Sequence, residues 1–156
     1  MIKKLIVAAA IAAATTLTVA GAQAAEPVRI GYSISKTGLL AQAVPSQINA
    51  YDLWAEQVNA RGGLDVAGTR RPVEFVFYDD QSDPAQVVKI YEKLITSDKV
   101  DLLAAPYGTT NHFAVAAVLE RYKFPMVGNT AASVQVRELK PKYIWFSTGS
   151  FPDVLS

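Results

Sequence analysis

The feature that most limits what this chain can fold into is its alternation of short β-like runs with helix-length amphipathic runs, joined by short links. Residues 28–34 are the first strand candidate, with Val28, Ile30 and Tyr32 on one face. Residues 47–60 then place Ile48, Tyr51, Trp54, Ala55 and Val58 at helical spacing. Pro45-Ser46 starts that helix, and Gly62-Gly63 ends it in the manner of a left-handed cap. Residues 73–78, rich in β-branched and aromatic side chains, predict a second strand. Asp83-Pro84 is a helix start, a carboxylate cap followed by a residue with no amide to waste. Val87, Val88, Tyr91, Leu94 and Ile95 give that helix an apolar stripe. The nearly continuous apolar run at 100–105 predicts a strand buried on both faces. A third helix is expected over 111–122 with Ala114, Ala117 and Val118 inward, and two short strands at 124–128 and 143–146. Strand, helix, strand, helix with short links means parallel strands and right-handed crossovers. The predicted class is α/β, a doubly wound parallel sheet.

The first 24 residues stand apart from this pattern. Lys3 and Lys4 form a positive head, an apolar run follows from Leu5 to Val19, and Ala22-Gln23-Ala24 supplies a small-x-small cleavage site. The expectation is a signal peptide over 1–24, cut near Ala24, rather than an anchor, since residues 21–26 turn small and polar. With no cysteine there is neither a lipid-modified N-terminus nor a disulfide. Without Lys3 and Lys4 the charges stand at 13 basic against 14 acidic, so the basic excess of a nucleic-acid surface is missing. The remaining chain divides into an α/β lobe over 25–146 and, at 147–156, the start of a further segment.

In a doubly wound sheet a ligand sits beyond the carboxyl ends of the strands. That directs attention to the loops at 35–42, 79–83, 106–111 and 129–134. Tyr107-Gly108-Thr109-Thr110-Asn111 and Asn129-Thr130-Ala131-Ala132-Ser133 are rich in small hydroxyls and lie near helix starts, where free amides favour an anion. Such residues also serve as plain helix caps, and both readings stand on the sequence. The acidic loop Asp79-Asp80-Gln81-Ser82-Asp83 admits a metal or phosphoacceptor reading, but capping by Asp83 and loop solvation by Asp79 and Asp80 account for it better. His112, the only histidine, is expected at the surface or as a cap. No nucleophile-base-acid order, zinc spacing or phosphate-binding glycine motif occurs, so neither an enzyme nor a cofactor is expected.

These loops carry a family resemblance. Ile30-Gly31-Tyr32 with Thr37-Gly38-Leu39-Leu40-Ala41, then Asn59-Ala60-Arg61-Gly62-Gly63-Leu64, then Tyr78 to Pro84, and then Ala105-Pro106-Tyr107-Gly108-Thr109, fall in the order and spacing of one family. Leu94-Ile95 and Asp98-Lys99-Val100-Asp101 extend the third of these. The chain resembles the periplasmic substrate-binding proteins of ABC importers, in the branch typified by leucine/isoleucine/valine-binding proteins. The likeness covers roughly residues 27–152. It implies capture of a branched-chain amino acid or related small carboxylate in the periplasm, for a membrane permease, by closure of two lobes. Thr109, with Thr110 beside it, would hold the ligand carboxylate, Ala131 and Ser133 would receive its ammonium and carboxylate, and Tyr107 would line the side-chain pocket. An aromatic residue common in the family's first loop is replaced by Ala43, which leaves amides and aromatic acids among the candidate ligands. Members run to more than twice this length, so the resemblance makes this chain an incomplete first lobe, with residues 147–156 starting the crossing to the second. A sensor domain of the same fold and an exported α/β hydrolase are the alternatives.

Overall fold

The structure, a computed structural model, describes residues 25–133, 135 and 140–147. The expected leader, residues 148–156 and Val134 lie outside the described residues. The elements run in the order β1 (Val28–Ile34), α1 (Pro45–Ala60), β2 (Leu64–Val66), β3 (Thr69–Arg71), β4 (Val73–Asp79), α2 (Pro84–Thr96), β5 (Leu102–Ala104), α3 (Thr109–Tyr122), β6 (Met126–Gly128) and β7 (Ile144–Phe146). Five strands form one parallel sheet in the order β4-β1-β5-β6-β7. This is a doubly wound α/β sheet whose strand order reverses between β1 and β5.

Strand alternation divides the side chains between two layers. Val76, Tyr78, Leu103, Met126 and Ile144 face α2 and α3, where Val87, Tyr91, Leu94, Val115 and Leu119 complete the main core. Ile30, Tyr32, Ile34, Val73 and Phe75 face α1, which covers them with Ile48, Tyr51, Ala55 and Val58. Asp83 caps α2 as its sequence suggests, accepting from the Ala85 amide at 2.8 Å.

Three sequence expectations change. The stretch Gly68-Thr69-Arg70-Arg71 reads as a turn in the sequence, yet Thr69–Arg71 pairs with Leu64–Val66 as an antiparallel hairpin. Ala67 (φ 51°) and Gly68 (φ 84°) give its two-residue loop the twist that such hairpins need. The run at 100–105 is not a strand buried on both faces. Only Leu102–Ala104 pair, and Leu102 is 40% exposed because α1 lies over β1 and β4 and stops short of β5. Val127 and Trp145 are bared on the same side, at 52% and 57%. In α3 Ala117 is exposed rather than inward, because the larger Val115, Val118 and Leu119 claim the buried stripe. Among the described residues no helix is long and apolar enough to cross a membrane.

Candidate functional site

The loops after β1 and β4 are fused by the acidic segment. Asp80 is fully buried and accepts from Ser33 Oγ (2.8 Å), Ser35 Oγ (2.5 Å) and the Ser82 amide (3.0 Å). Asp79 accepts from Thr37 Oγ1 (2.7 Å) and from the amides of Thr37 (3.2 Å) and Gln81 (2.9 Å). Slight burial pushes the Asp79 carboxyl up, but these hydrogen bonds outweigh it and hold the group below the usual carboxylate range. Ser82 Oγ donates to the Thr37 carbonyl and accepts from the Leu40 amide, both at 3.0 Å. The three carboxylates of this loop thus bind the chain's own hydroxyls and amides. Among the described residues no three His, Cys, Asp or Glu gather as metal ligands.

The loops after β5 and β6 are joined by hydroxyls. Thr130 Oγ1 donates to the Pro106 carbonyl (3.0 Å) and accepts from the Gly108 amide (3.1 Å). Thr109 Oγ1 accepts from the Ala132 amide at 3.1 Å. That bond leaves the Thr109 hydroxyl proton to be donated elsewhere. Thr109 and Thr110 open α3, where backbone amides lack intrahelical partners and the helix dipole favours negative charge. Of the site residues expected from sequence, Thr109 is half-buried, Thr110 exposed, Ala131 buried and Ser133 half-buried, with Ser133 Oγ accepting from the Gln135 amide at 3.2 Å. Tyr107 is half-buried against the cluster of Tyr32, Ile34 and Val44. The structure therefore brings Thr109 against the 131–133 segment, beyond the carboxyl ends of β5 and β6 and next to the point where strand order reverses between β1 and β5. The arrangement offers hydroxyls and amides to an anion, with no charged side chain among them.

An apolar groove of about 460 Å³ lies elsewhere, along the α1 side of the sheet between Tyr51, Trp54, Phe75, Leu102 and Val127. It reaches the loops only at Asn129 and Ser147. Both faces of a parallel sheet are ordinarily covered, and this stretch of one face is bare; Tyr107, Thr109, Thr110, Ala131 and Ser133 do not line the groove.

Residues 27–153 match the family profile described as periplasmic binding protein. The chain belongs to that family. Three solved structures are similar to it in fold. LivJ from Streptococcus pneumoniae, a branched-chain amino acid transporter substrate-binding protein in complex with isoleucine, is 22% identical with a TM-score of 0.71, over 80% of this chain and 34% of that one. A solute-binding protein of an ABC transporter from Rhodopseudomonas palustris HaA2, in complex with p-hydroxybenzoic acid, is 32% identical with a TM-score of 0.64, over 80% and 32%. Another from R. palustris, in complex with 4-hydroxybenzoate, is 30% identical with a TM-score of 0.63, again over 80% and 32%. The chain spans about a third of the length of these structures. Its parallel sheet is that of a type I periplasmic binding lobe, and the family is an extracytoplasmic, solute-binding one.

In this chain His112 is neither at the surface nor a helix cap. It is fully buried, with Nδ1 donating to the Gly108 carbonyl at 2.9 Å, its ring stacked near Phe146 and its Nε2 without a partner. A carbonyl can only accept, so Nδ1 carries the proton and Nε2 is the bare nitrogen. Burial pushes the His112 pKa down, with the Gly108 carbonyl opposing in part. The unfolded chain therefore binds a proton at a pH where the folded one does not. Stability from this group is complete above about pH 6.5 and falls as the pH drops below it. Urea midpoints from about pH 7.5 to about pH 5.5 should fall more steeply in the natural protein than in His112→Gln; equal slopes would refute a buried neutral imidazole.

Sequence reading placed Asn129 and Thr130 in a candidate loop but missed Gln47, the Tyr51 hydroxyl and the long-range bonds that brace the site. Gln47, Tyr51, Asn129 and Thr130 bond to groups 22 to 78 residues away, and no local pattern announces such pairs. The helical spacing of Gln47 and Tyr51, four apart on the covered side of α1, was the available signal.

Proposed function

We propose that this chain belongs to the solute-capturing component of an ABC importer, taking a small carboxylate-bearing solute at the Thr109 and Ala131–Ser133 loops for a membrane permease. The supporting observation is the hydroxyl-linked pair of loops after β5 and β6, the first of which borders the β1/β5 switch point, with Thr109 holding a donatable proton beside the free amides of α3. In this reading Thr109 and Thr110 hold the carboxylate. The Ala131 and Ser133 region receives the remaining polar groups, and Tyr107 walls the pocket. The greater identity to the two proteins solved with hydroxybenzoates, 30% and 32% against 22% for the isoleucine-bound one, favours an aromatic acid over a branched-chain amino acid. The same proposal includes export to the periplasm, with residues 1–24 removed, Ala25 as the mature N-terminus and residues 25–146 as the lobe that carries the loops.

Calorimetric titration with 4-hydroxybenzoate and with isoleucine tests it. Thr109→Ala should weaken binding by about 1–3 kcal/mol through loss of a charge-assisted hydrogen bond, while Thr109→Ser, which keeps the hydroxyl, should retain most of the affinity. Failure of the natural protein to bind either acid, or an unaltered Kd in Thr109→Ala, would remove the assignment.

A further inference from the structure

The proposed ligand loops are not held only by each other. Tyr51, on α1, sends its hydroxyl under both of them. Asn129 Nδ2 donates to Tyr51 Oη at 2.8 Å and Gln47 Nε2 donates to it at 3.0 Å, while Tyr51 Oη reaches the Ala105 carbonyl at 3.4 Å. One donor and two acceptor positions exhaust a phenol. Gln47 Nε2 also donates to the Ala105 carbonyl, at 3.0 Å. Ala105 precedes Pro106, Tyr107, Gly108 and Thr109 in the β5 loop. Asn129 precedes Thr130, Ala131, Ala132 and Ser133 in the β6 loop. The hydroxyl thus ties the root of one loop to the root of the other, and Thr130 and Thr109 repeat the tie further along.

We propose that Tyr51, together with Gln47, is a positioning residue that sets the spacing between the Thr109 loop and the Ala131–Ser133 loop. The consequence for affinity rests on the solute-binding reading; the consequence for loop geometry does not. Two features separate this role from mere packing. The Tyr51 ring is already satisfied by stacking on Phe75 (centroids 5.4 Å apart, 22° between planes) and by the edge of Tyr32 (5.0 Å, 82°), so core packing alone requires no hydroxyl. Gln47 is buried with its Oε1 unpaired, a cost that an apolar side chain would avoid. A polar network kept at such a cost is better explained by what it aligns than by what it stabilises.

Tyr32 supplies an internal control. It packs against Tyr51, is fully buried, and its hydroxyl has no partner. The same chemical change, Tyr to Phe, therefore cuts the tie at one position and removes an orphan at the other. Amide hydrogen exchange should show Gly108 and Ala132 exchanging about tenfold faster in Tyr51→Phe, with β1 and β4 amides unchanged, and neither effect in Tyr32→Phe. Gln47→Met, which removes both donors, is the second variant should Tyr51→Phe not fold. Where the natural protein binds 4-hydroxybenzoate or isoleucine, Tyr51→Phe should raise Kd about tenfold and Tyr32→Phe should leave it alone. Unaltered exchange at Gly108 and Ala132, or a uniform rise along the whole chain, overturns the proposal. Faster exchange at those two amides in a protein that binds neither acid upholds the positioning role and removes the solute-binding reading instead.

Discussion

Asp80→Ala should lower the unfolding free energy by about 3–5 kcal/mol, a large share of the roughly 5–15 kcal/mol that holds an ordinary domain folded. The carboxylate sits at the first residue beyond β4 with no exposed surface, and its three donors come from two different segments: Ser33 and Ser35 from β1 and its exit, and Ser82 from its own loop. Alanine removes every acceptor at once and strands two buried hydroxyls and an amide without water to replace them. Ser33 and Ser35 are themselves fully buried, so local rearrangement cannot bring them to solvent. Asp80→Asn isolates the charge from the shape. It keeps one oxygen acceptor, and the serine hydroxyls can rotate to accept from its amide, so it should cost about 1–2 kcal/mol. Urea unfolding of both variants measures this; a loss below about 1 kcal/mol for the alanine variant would show that the serines find other partners.

This loop also shows how far the sequence could be read. Its five polar residues looked like capping and solvation, and capping is right for Asp83, whose job is local and two residues long. Asp80 bonds to serines 45 and 47 residues earlier in the chain, a relation that exists only once β1 and β4 lie side by side. The same divide runs through the whole molecule. The order of the main strands and helices was legible because periodicity is a property of neighbours in sequence. The β2–β3 hairpin was not, since each strand is only three residues long and β3, Thr69-Arg70-Arg71, carries no apolar side chain at all. His112 shares the spacing of Val115 and Leu119 on the buried stripe of α3, so its burial was available from helical geometry, but a lone imidazole at a helix start invited a surface reading. The hydroxyl-rich loops could be located by topology, and Thr109 with them. Their bracing by Tyr51 could not, because an aromatic at helical spacing announces packing and says nothing about its hydroxyl.

Gly63→Ala should cost roughly 3–5 kcal/mol, more than its neighbour by a margin that the structure explains. Both Gly62 and Gly63 follow α1 with positive φ, 89° and 91°. Alanine at Gly62 would meet nothing within 4 Å, so its cost is the backbone strain alone, about 1–2 kcal/mol. At Gly63 a Cβ would lie 2.0 Å from the Arg71 carbonyl oxygen and 2.8 Å from Pro72 N, which are backbone atoms. That backbone has little room to yield. The Gly63 amide donates to the Val58 carbonyl at 2.9 Å, and its carbonyl accepts from Arg70 Nη1 at 2.9 Å. Arg71 pairs with Leu64 in the hairpin, and the Pro72 carbonyl accepts from the Val28 amide at 2.7 Å. Relieving the clash therefore means moving the hairpin off the end of α1 or moving the start of β4 away from β1. The second movement is the costlier, because Val73 opens β4 opposite Val28 and both belong to the core under Val58. Thermal melts of the two alanine variants separate strain from contact: equal losses would mean that the hairpin swings aside freely, whereas a larger loss at Gly63 locates the register of β4 against β1 in the approach of one glycine to one carbonyl.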